Sequence, residues 1–215
     1  MKHDGGGNLV VKTMHVGPMA SCCYVAGCEG GSGAIIDPGD EAPRIIENAR
    51  ETGFTFKYII LTHAHADHIG ALEEVRAAFP DAQTVVHSDD APMLERPSLN
   101  LSLFLGGSIK CRPAEREVKE GDTLPLGALE LAVIHVPGHT PGGACYYCAE
   151  AGIVFTGDVL FAGGIGRSDF PGGNERLLLS GIRQKLLTLP PDTMVYPGHG
   201  PATTVGAEKA GNPFF

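Results

Sequence analysis

Apolar residues along this chain fall into short runs of strand length, separated by stretches of helical spacing and by turns rich in Gly and Pro. Residues 9–14 and 21–26 predict two opening strands, and residues 34–36 a third. Pro38 and Gly39 turn the chain, and Asp40 is placed to cap a helix with Ile45, Ile46 and Ala49 on one face, stopped by Gly53. Residues 56–61 are almost continuously apolar, as expected of a strand covered on both faces. A helix over residues 70–79 follows, with Leu72, Val75 and Phe79 at helical spacing, then a strand at 84–86 and a short helix from a Ser88 cap to Leu94. Residues 97–111 show no period. Residues 129–136 and 145–148 read as paired strands, with 153–156 the next. A Gly-rich loop spans 161–173, and Asn174 caps a long helix that aligns Leu178, Ile182 and Leu186. Residues 194–196 form the last strand.

Strands before and after the central helices predict an α/β architecture of two mixed sheets, each covered by helices. No Pro-, Ser- or charge-rich linker interrupts the 215 residues, so residues 1–215 read as a single domain. The longest apolar stretches, such as 58–61 and 153–155, are far shorter than the ~18 residues of a membrane span. The opening residues 1–8 are polar and Gly-rich, with no apolar segment of a secretory signal after them, and a cytoplasmic location is expected. The net charge of −9, with no cluster of Lys and Arg, argues against nucleic acid as a partner. Six cysteines are then expected as reduced thiols. Cys145 and Cys148 make a C-x-x-C pair, but three residues apart on a strand they point to opposite faces. No second such pair completes a four-thiolate site.

Chemistry gathers in one place. Thr62-His63-Ala64-His65-Ala66-Asp67-His68 puts four imidazole or carboxylate groups within six residues, directly after a buried strand. His139, in Val136-Pro137-Gly138-His139-Thr140-Pro141-Gly142, Asp158, in Thr156-Gly157-Asp158, and His199, in Tyr196-Pro197-Gly198-His199-Gly200, each follow a strand as well. Loops at strand exits are where a rigid scaffold carries function, and the neighbouring Gly and Pro let such loops crowd together. Seven N and O ligands exceed one tetrahedral ion and suit two metals sharing a carboxylate. His3, His15, His87 and His135 read as tail or strand residues without a direct role, although a ligating His does need an oriented partner.

The pattern H-x-H-x-D-H followed by separate His, Asp and His resembles the metallo-β-lactamase superfamily over essentially the whole chain. That resemblance implies a four-layer αβ/βα sandwich with the site at one edge of its two sheets. It implies that His63, His65 and His139 hold a first metal, that Asp67, His68 and His199 hold a second, and that Asp158 bridges both. Two divalent ions are thus implied, zinc first, with iron or manganese suited to the same ligands. Asp67 and Asp158 are then expected to carry the catalysis, with Asp67 placed to accept a hydrogen bond from, or to orient, the attacking hydroxide.

The segment Gly164-Ile165-Gly166-Arg167-Ser168-Asp169-Phe170, the run Ser21-Cys22-Cys23-Tyr24 after Gly17-Pro18, and the ending Asn212-Pro213-Phe214-Phe215 look like the short bacterial members of the glyoxalase II (hydroxyacylglutathione hydrolase) group. These imply hydrolysis of a thioester such as S-D-lactoylglutathione by a metal-bridging hydroxide, with a small molecule as substrate, no nucleic acid or membrane as partner, and the oligomeric state left open. The resemblance does not extend to the helical C-terminal domain with which longer members help hold glutathione. Where those members present a Lys and a Tyr to glutathione, this chain has Arg167 and Asp169. Arg167 is therefore a candidate for binding a substrate carboxylate, or for an ion pair with Asp169. Persulfide dioxygenases of the same superfamily share the motif and would use one Fe(II) on His63, His139 and Asp158. Other ester, amide or phosphoester substrates also stay open, with β-lactams disfavoured by the bridging Asp158.

Overall fold

The computed structural model describes residues 9–28 and 31–215. The polar opening segment with His3 lies outside them. Six strands form a first sheet in chain order: β1 (Leu9–Val16), β2 (Ser21–Cys28), β3 (Ser32–Ile36), β4 (Thr55–Ile60), β5 (Gln83–His87) and β6 (Arg116–Val118). The first three pair antiparallel; β3 to β6 run parallel. Parallel neighbours need crossovers, and the chain supplies helices for two of them: α1 (Ala42–Glu51) between β3 and β4, then α2 (Ala66–Ile69) and α3 (Leu72–Ala78) between β4 and β5. The second sheet is built from β7 (Thr123–Leu126), β8 (Leu129–His135), β9 (Ala144–Cys148), β10 (Ile153–Gly157), β13 (Met194–Pro197) and β14 (Thr203–Thr204). Between β10 and β13 come a two-stranded hairpin, β11 (Leu160–Phe161) with β12 (Gly164–Ile165), and the helix α4 (Glu175–Gly181), continued by a π-helical turn over Ile182–Leu186. The last helix is α5 (Val205–Gly211).

Strand alternation builds the layers. In β4, Tyr58 and Ile60 point into the core between the sheets, and Ile59 points outward onto Ile45, Ala49, Leu72 and Val75 of α1 and α3. In β10, Ile153 and Phe155 meet the inter-sheet core while Val154 faces Leu178, Ile182 and Leu186. Each fully buried side chain of this kind contributes roughly 1.5–3 kcal/mol over its exposed state. The result is the predicted α/β architecture of two mixed sheets with flanking helices. The same alternation separates the C-x-x-C pair: Cys145 faces α4 and Cys148 the inter-sheet core. Among the described residues, no helix is long and apolar enough to cross a membrane.

Three local expectations shift. The helix expected over 70–79 is Leu72–Ala78, and a separate helical turn, Ala66–Ile69, precedes it; the Pro38–Gly39 turn packs where the two part, Ala71 donating to the Pro38 carbonyl at 3.0 Å, and a side chain at Gly70 would meet the Gly39 carbonyl. Ser88 caps nothing; its N–H pairs with Val118, and only a 3-10 turn, Ala91–Met93, follows. The first helix starts from Glu41 in a left-handed conformation, and Asp40 accepts the Glu41 N–H at 2.6 Å instead of capping further in. Asn174 does cap α4, accepting from Leu177 N–H at 3.1 Å.

Candidate metal centre

Topology brings the donors together. β3, β4 and β5 are parallel, so Asp37, the loop 62–68 and Asp90 all leave the first sheet at one edge. β8 and β10 are both antiparallel to β9, and β10 and β13 are parallel, so His139, Asp158 and His199 leave the second sheet together. The two edges are joined directly: Ala144 N–H donates to Thr62 O at 2.8 Å, and Cys22 N–H to Gly198 O at 2.7 Å.

Donor atoms of His63, His65 and His139 lie within 4.8 Å of one another, and so do those of Asp67, His68 and His199. These are the two triplets implied by the resemblance. His65 Nδ1 is 2.9 Å from His139 Nε2. Asp158 stands between the triplets, 3.5 Å from His68 Nε2 and 3.6 Å from both His139 Nε2 and His199 Nε2. All seven candidate residues therefore meet in one place.

Hydrogen bonds fix which nitrogens face inward. His139 Nδ1 is 2.7 Å from the Arg167 carbonyl and His199 Nδ1 is 3.2 Å from the Met19 carbonyl. A carbonyl only accepts, so each Nδ1 carries a proton and each Nε2 is the nitrogen turned to the centre, that of His199 3.2 Å from Asp67 Oδ2. His68 Nδ1 faces the Asp37 carboxyl at 3.0 Å, which leaves its Nε2 inward as well. Among the described residues, His63 Nε2, His68 Nε2 and Asp158 Oδ1 are buried with no hydrogen-bond partner. Buried polar atoms without partners are rare in folded proteins, and three in one cluster, two imidazole nitrogens and a carboxylate oxygen converging on one space, fit a cation once His68 gives up its proton.

Charge agrees with that fit. Burial, reinforced by the neighbouring imidazoles, holds His63 well below the usual histidine range and His65 at about 3, so both are neutral at neutral pH, the form in which an imidazole can take a cation. Burial works against ionisation of Asp67 and Asp158, but His68 and the other imidazoles outweigh it and hold both below the usual carboxylate range. Burial also opposes a proton on His68, yet Asp67, Asp158 and Asp37 together keep it protonated, so a cation must displace that proton on binding.

The sequence reading missed three groups. Asp37, buried at the exit of β3, accepts from Thr62 N–H (2.8 Å), Thr62 Oγ1 (2.6 Å) and His68 Nδ1. Asp90, buried after β5, accepts from Ala64 N–H, Thr140 Oγ1 and Gly142 N–H, tying the loop of His63 and His65 to that of His139. Burial pushes the Asp90 carboxyl up to about 6, against those three bonds. Ser21 Oγ donates to Asp67 Oδ2 at 2.8 Å. The one available signal was position, since Asp37 and Asp90 also follow strands. Arg167 lines the cavity over the centre, but its fork is taken by Asp169 in two 2.7 Å bonds, and its guanidinium lies 3.9 Å over the Phe170 ring. His15 contacts Cys22, and His87 stacks on His135 at 3.9 Å, all without reaching the seven donors.

Gly198 marks how closely the centre is packed. A Cβ there would meet Asp158 Oδ1, and would lie 2.9 Å from His68 Cε1. Gly198→Ala is therefore expected to weaken metal binding by roughly 10–100-fold, the usual cost of disturbing a ligand's support. Competition with a chromophoric chelator measures this, and unchanged affinity would show that Asp158 and His68 are not held by this contact.

The sequence profile of the metallo-beta-lactamase superfamily matches residues 16–199. The chain is 43% identical to the probable metallo-hydrolase YqgX of Bacillus subtilis, covering 94% of this chain and 96% of that one. It is 41% identical to the hydroxyacylglutathione hydrolase GloC of Haemophilus influenzae, over 84% and 86%. Among solved structures, BLEG-1 B3 metallo-beta-lactamase superposes with a TM-score of 0.91 at 40% identity, covering 95% and 99% of the two chains. TTHA1623 in a di-iron-bound form superposes at 0.85 with 37% identity, covering 95% and 100%. Sequence, fold and the converging donors agree: this chain belongs to the metallo-beta-lactamase superfamily.

Proposed function

We propose that the protein is a binuclear metal-dependent hydrolase of thioesters. His63, His65 and His139 would hold one divalent ion, Asp67, His68 and His199 a second, and Asp158 would touch both. The observation that carries this reading is the pair of donor triplets with Asp158 between them and three buried donor atoms left unpaired. Two such ions, when bound, lower the pKa of water towards neutrality and polarise a carbonyl oxygen.

The chain supplies the rest. Asp67, kept ionised and fixed by Ser21, accepts a hydrogen bond from the attacking water and so points its lone pair at the carbonyl carbon. Asp37, Arg167 O and Met19 O hold the imidazoles in one tautomer, so no reorganisation is needed during reaction. Among the described residues, the lining of the site cavity offers no Ser, Cys or Lys that would serve as a covalent nucleophile or as an acid for a poor leaving group. A thiolate leaves without such help. Similarity to GloC supports the same substrate class.

The test is elemental analysis with a thioester assay on the same sample. About two metals per chain and cleavage of a thioester are expected, with S-D-lactoylglutathione and a simpler, uncharged thioester both offered. One iron per chain, oxygen uptake with glutathione persulfide and no cleavage would overturn the proposal. A chromogenic cephalosporin belongs in the same assay, given the likeness to BLEG-1, and is expected to turn over more slowly than the thioester.

A further inference from the structure

Resting on the hydrolase reading above, we infer that the substrate is a thioester bearing an apolar arm of several carbons, seated in a groove that leads from the metal centre along the turn Ser102–Leu105. The cavity over the centre, about 240 Å³, takes its apolar walls from Met19, Ala66, Leu101, Phe104, Leu105 and Phe170, with Arg167 the one other lining residue besides the donors. A second cavity, of about 380 Å³, adjoins it along Met19, Ala66, Asp67 and Leu105 and continues past Val16 and Ile109. Together they offer an elongated apolar space beginning at the reacting atoms.

The apolar rim is exposed. Met19 is 49% exposed, Phe104 75% and Leu105 61%, with Leu103 beside them at 54%. Apolar side chains clustered in water at the mouth of a site mark a surface meant to be covered. The turn is also built, not loose. Asn100 donates through Nδ2 to Met93 O (3.1 Å) and Ile109 O (2.9 Å) and accepts from Ser102 N–H (3.0 Å), while Ser102 Oγ accepts from Ile109 N–H (2.9 Å). The Asn100 carbonyl then accepts Ala66 N–H at 2.8 Å, which fastens the turn to the loop of His65 and Asp67. Leu101 sits at φ 67, a left-handed conformation that costs a branched residue energy and persists because its surroundings enforce it.

Charge points the same way. A glutathione arm carries carboxylates that call for free cations. Among the described residues neither cavity is lined by a lysine, and the one arginine, Arg167, is already paired with Asp169. The arm that fits is uncharged.

The experiment uses two series of thioesters on the metal-loaded protein. One lengthens the acyl group from acetyl to octanoyl on N-acetylcysteamine; the other lengthens an alkyl thiol on a fixed acetyl group. In the series whose arm enters the groove, kcat/KM is expected to rise up to roughly fourfold per methylene, the full value of moving one CH2 out of water. The double variant Phe104→Ser, Leu105→Ser should bring the octanoyl-to-acetyl ratio, or its alkyl counterpart, close to one. Flat profiles in both series, with cleavage, overturn the groove and leave the hydrolase standing. Absence of any thioester cleavage overturns the hydrolase reading itself. The groove is then judged without turnover, by displacement of 8-anilinonaphthalene-1-sulfonate: affinity that rises with chain length and is lost in the double variant supports it, and equal affinity across the series overturns it. A dimer in solution that the double variant dissociates, with flat profiles, assigns the rim to a second copy of the chain and overturns it too.

Discussion

His65→Ala is expected to strip the metal and abolish hydrolysis while leaving a folded chain. His65 Nδ1 lies 2.9 Å from His139 Nε2, one of the shortest approaches between two candidate ligands, and nothing else in the cavity offers a nitrogen in its place. Losing the ions removes several kcal/mol of transition-state stabilisation, so the rate should fall by about 10³-fold or more. Stability should behave differently. Without metal, His63, His65 and His139 crowd together; His139 lowers the proton affinity of both His63 and His65, and His65 that of His63. Removing one relieves that crowding, and the site opens to solvent through the adjoining cavity. The metal-free variant should therefore melt within a few degrees of metal-free wild type, with an unchanged far-ultraviolet circular dichroism spectrum. Elemental analysis and the thioester assay give the other half. A variant that keeps two metals per chain and full activity would remove His65 from the ligand set.

That such a prediction can be framed from a sequence reflects how the site is encoded. Its donors sit in loops at strand exits, where Gly and Pro punctuate the pattern, and imidazoles packed at such density have few structural explanations. The layers were legible for a related reason: the second half of β4 (residues 58–60) and most of β10 are apolar on both faces, as strands between core and helix are. What stayed hidden depends on contacts distant in sequence. Asp37 precedes Pro38-Gly39 and reads as a turn former; its role exists only because Thr62 and His68 arrive beside it from β4. Asp90, in Ser88-Asp89-Asp90, looks like a helix start, and its partners lie 26 to 52 residues away. The helical turn Ala66–Ile69 lies in what reads as the His-rich loop, and its separation from α3 at Gly70 is set by the packed Pro38–Gly39 turn, a contact distant in sequence. Residues 97–111 lack a period because they are shaped by the Asn100 and Ser102 side chains, which replace regular backbone pairing.

The Asp37 carboxyl should be the costliest supporting group to remove. It is 1% exposed, accepts three hydrogen bonds, and joins the end of β3 to Thr62 and to His68. Asp37→Ala leaves the Thr62 N–H and the His68 Nδ1–H buried and unpaired, and the Thr62 hydroxyl with His63 Nδ1 as its remaining partner at 3.1 Å. Breaking a buried hydrogen-bonded pair on one side costs about 3–5 kcal/mol. In a chain of this size that corresponds to a fall in melting temperature of roughly 10 °C. Because that fold loss could mask the effect on the centre, Asp37→Asn is the second variant. It keeps the volume but turns one acceptor into an NH2 group, which cannot accept from Thr62 and His68 together. His68 is then free to present either nitrogen, and affinity at the site of Asp67, His68 and His199 should drop by roughly 10–100-fold. Loss of one metal before the other in a chelator titration of Asp37→Asn would locate the effect at that site. If Asp37→Ala melts with wild type and Asp37→Asn binds both metals as tightly, the carboxyl is a bystander and His68 is oriented by something else.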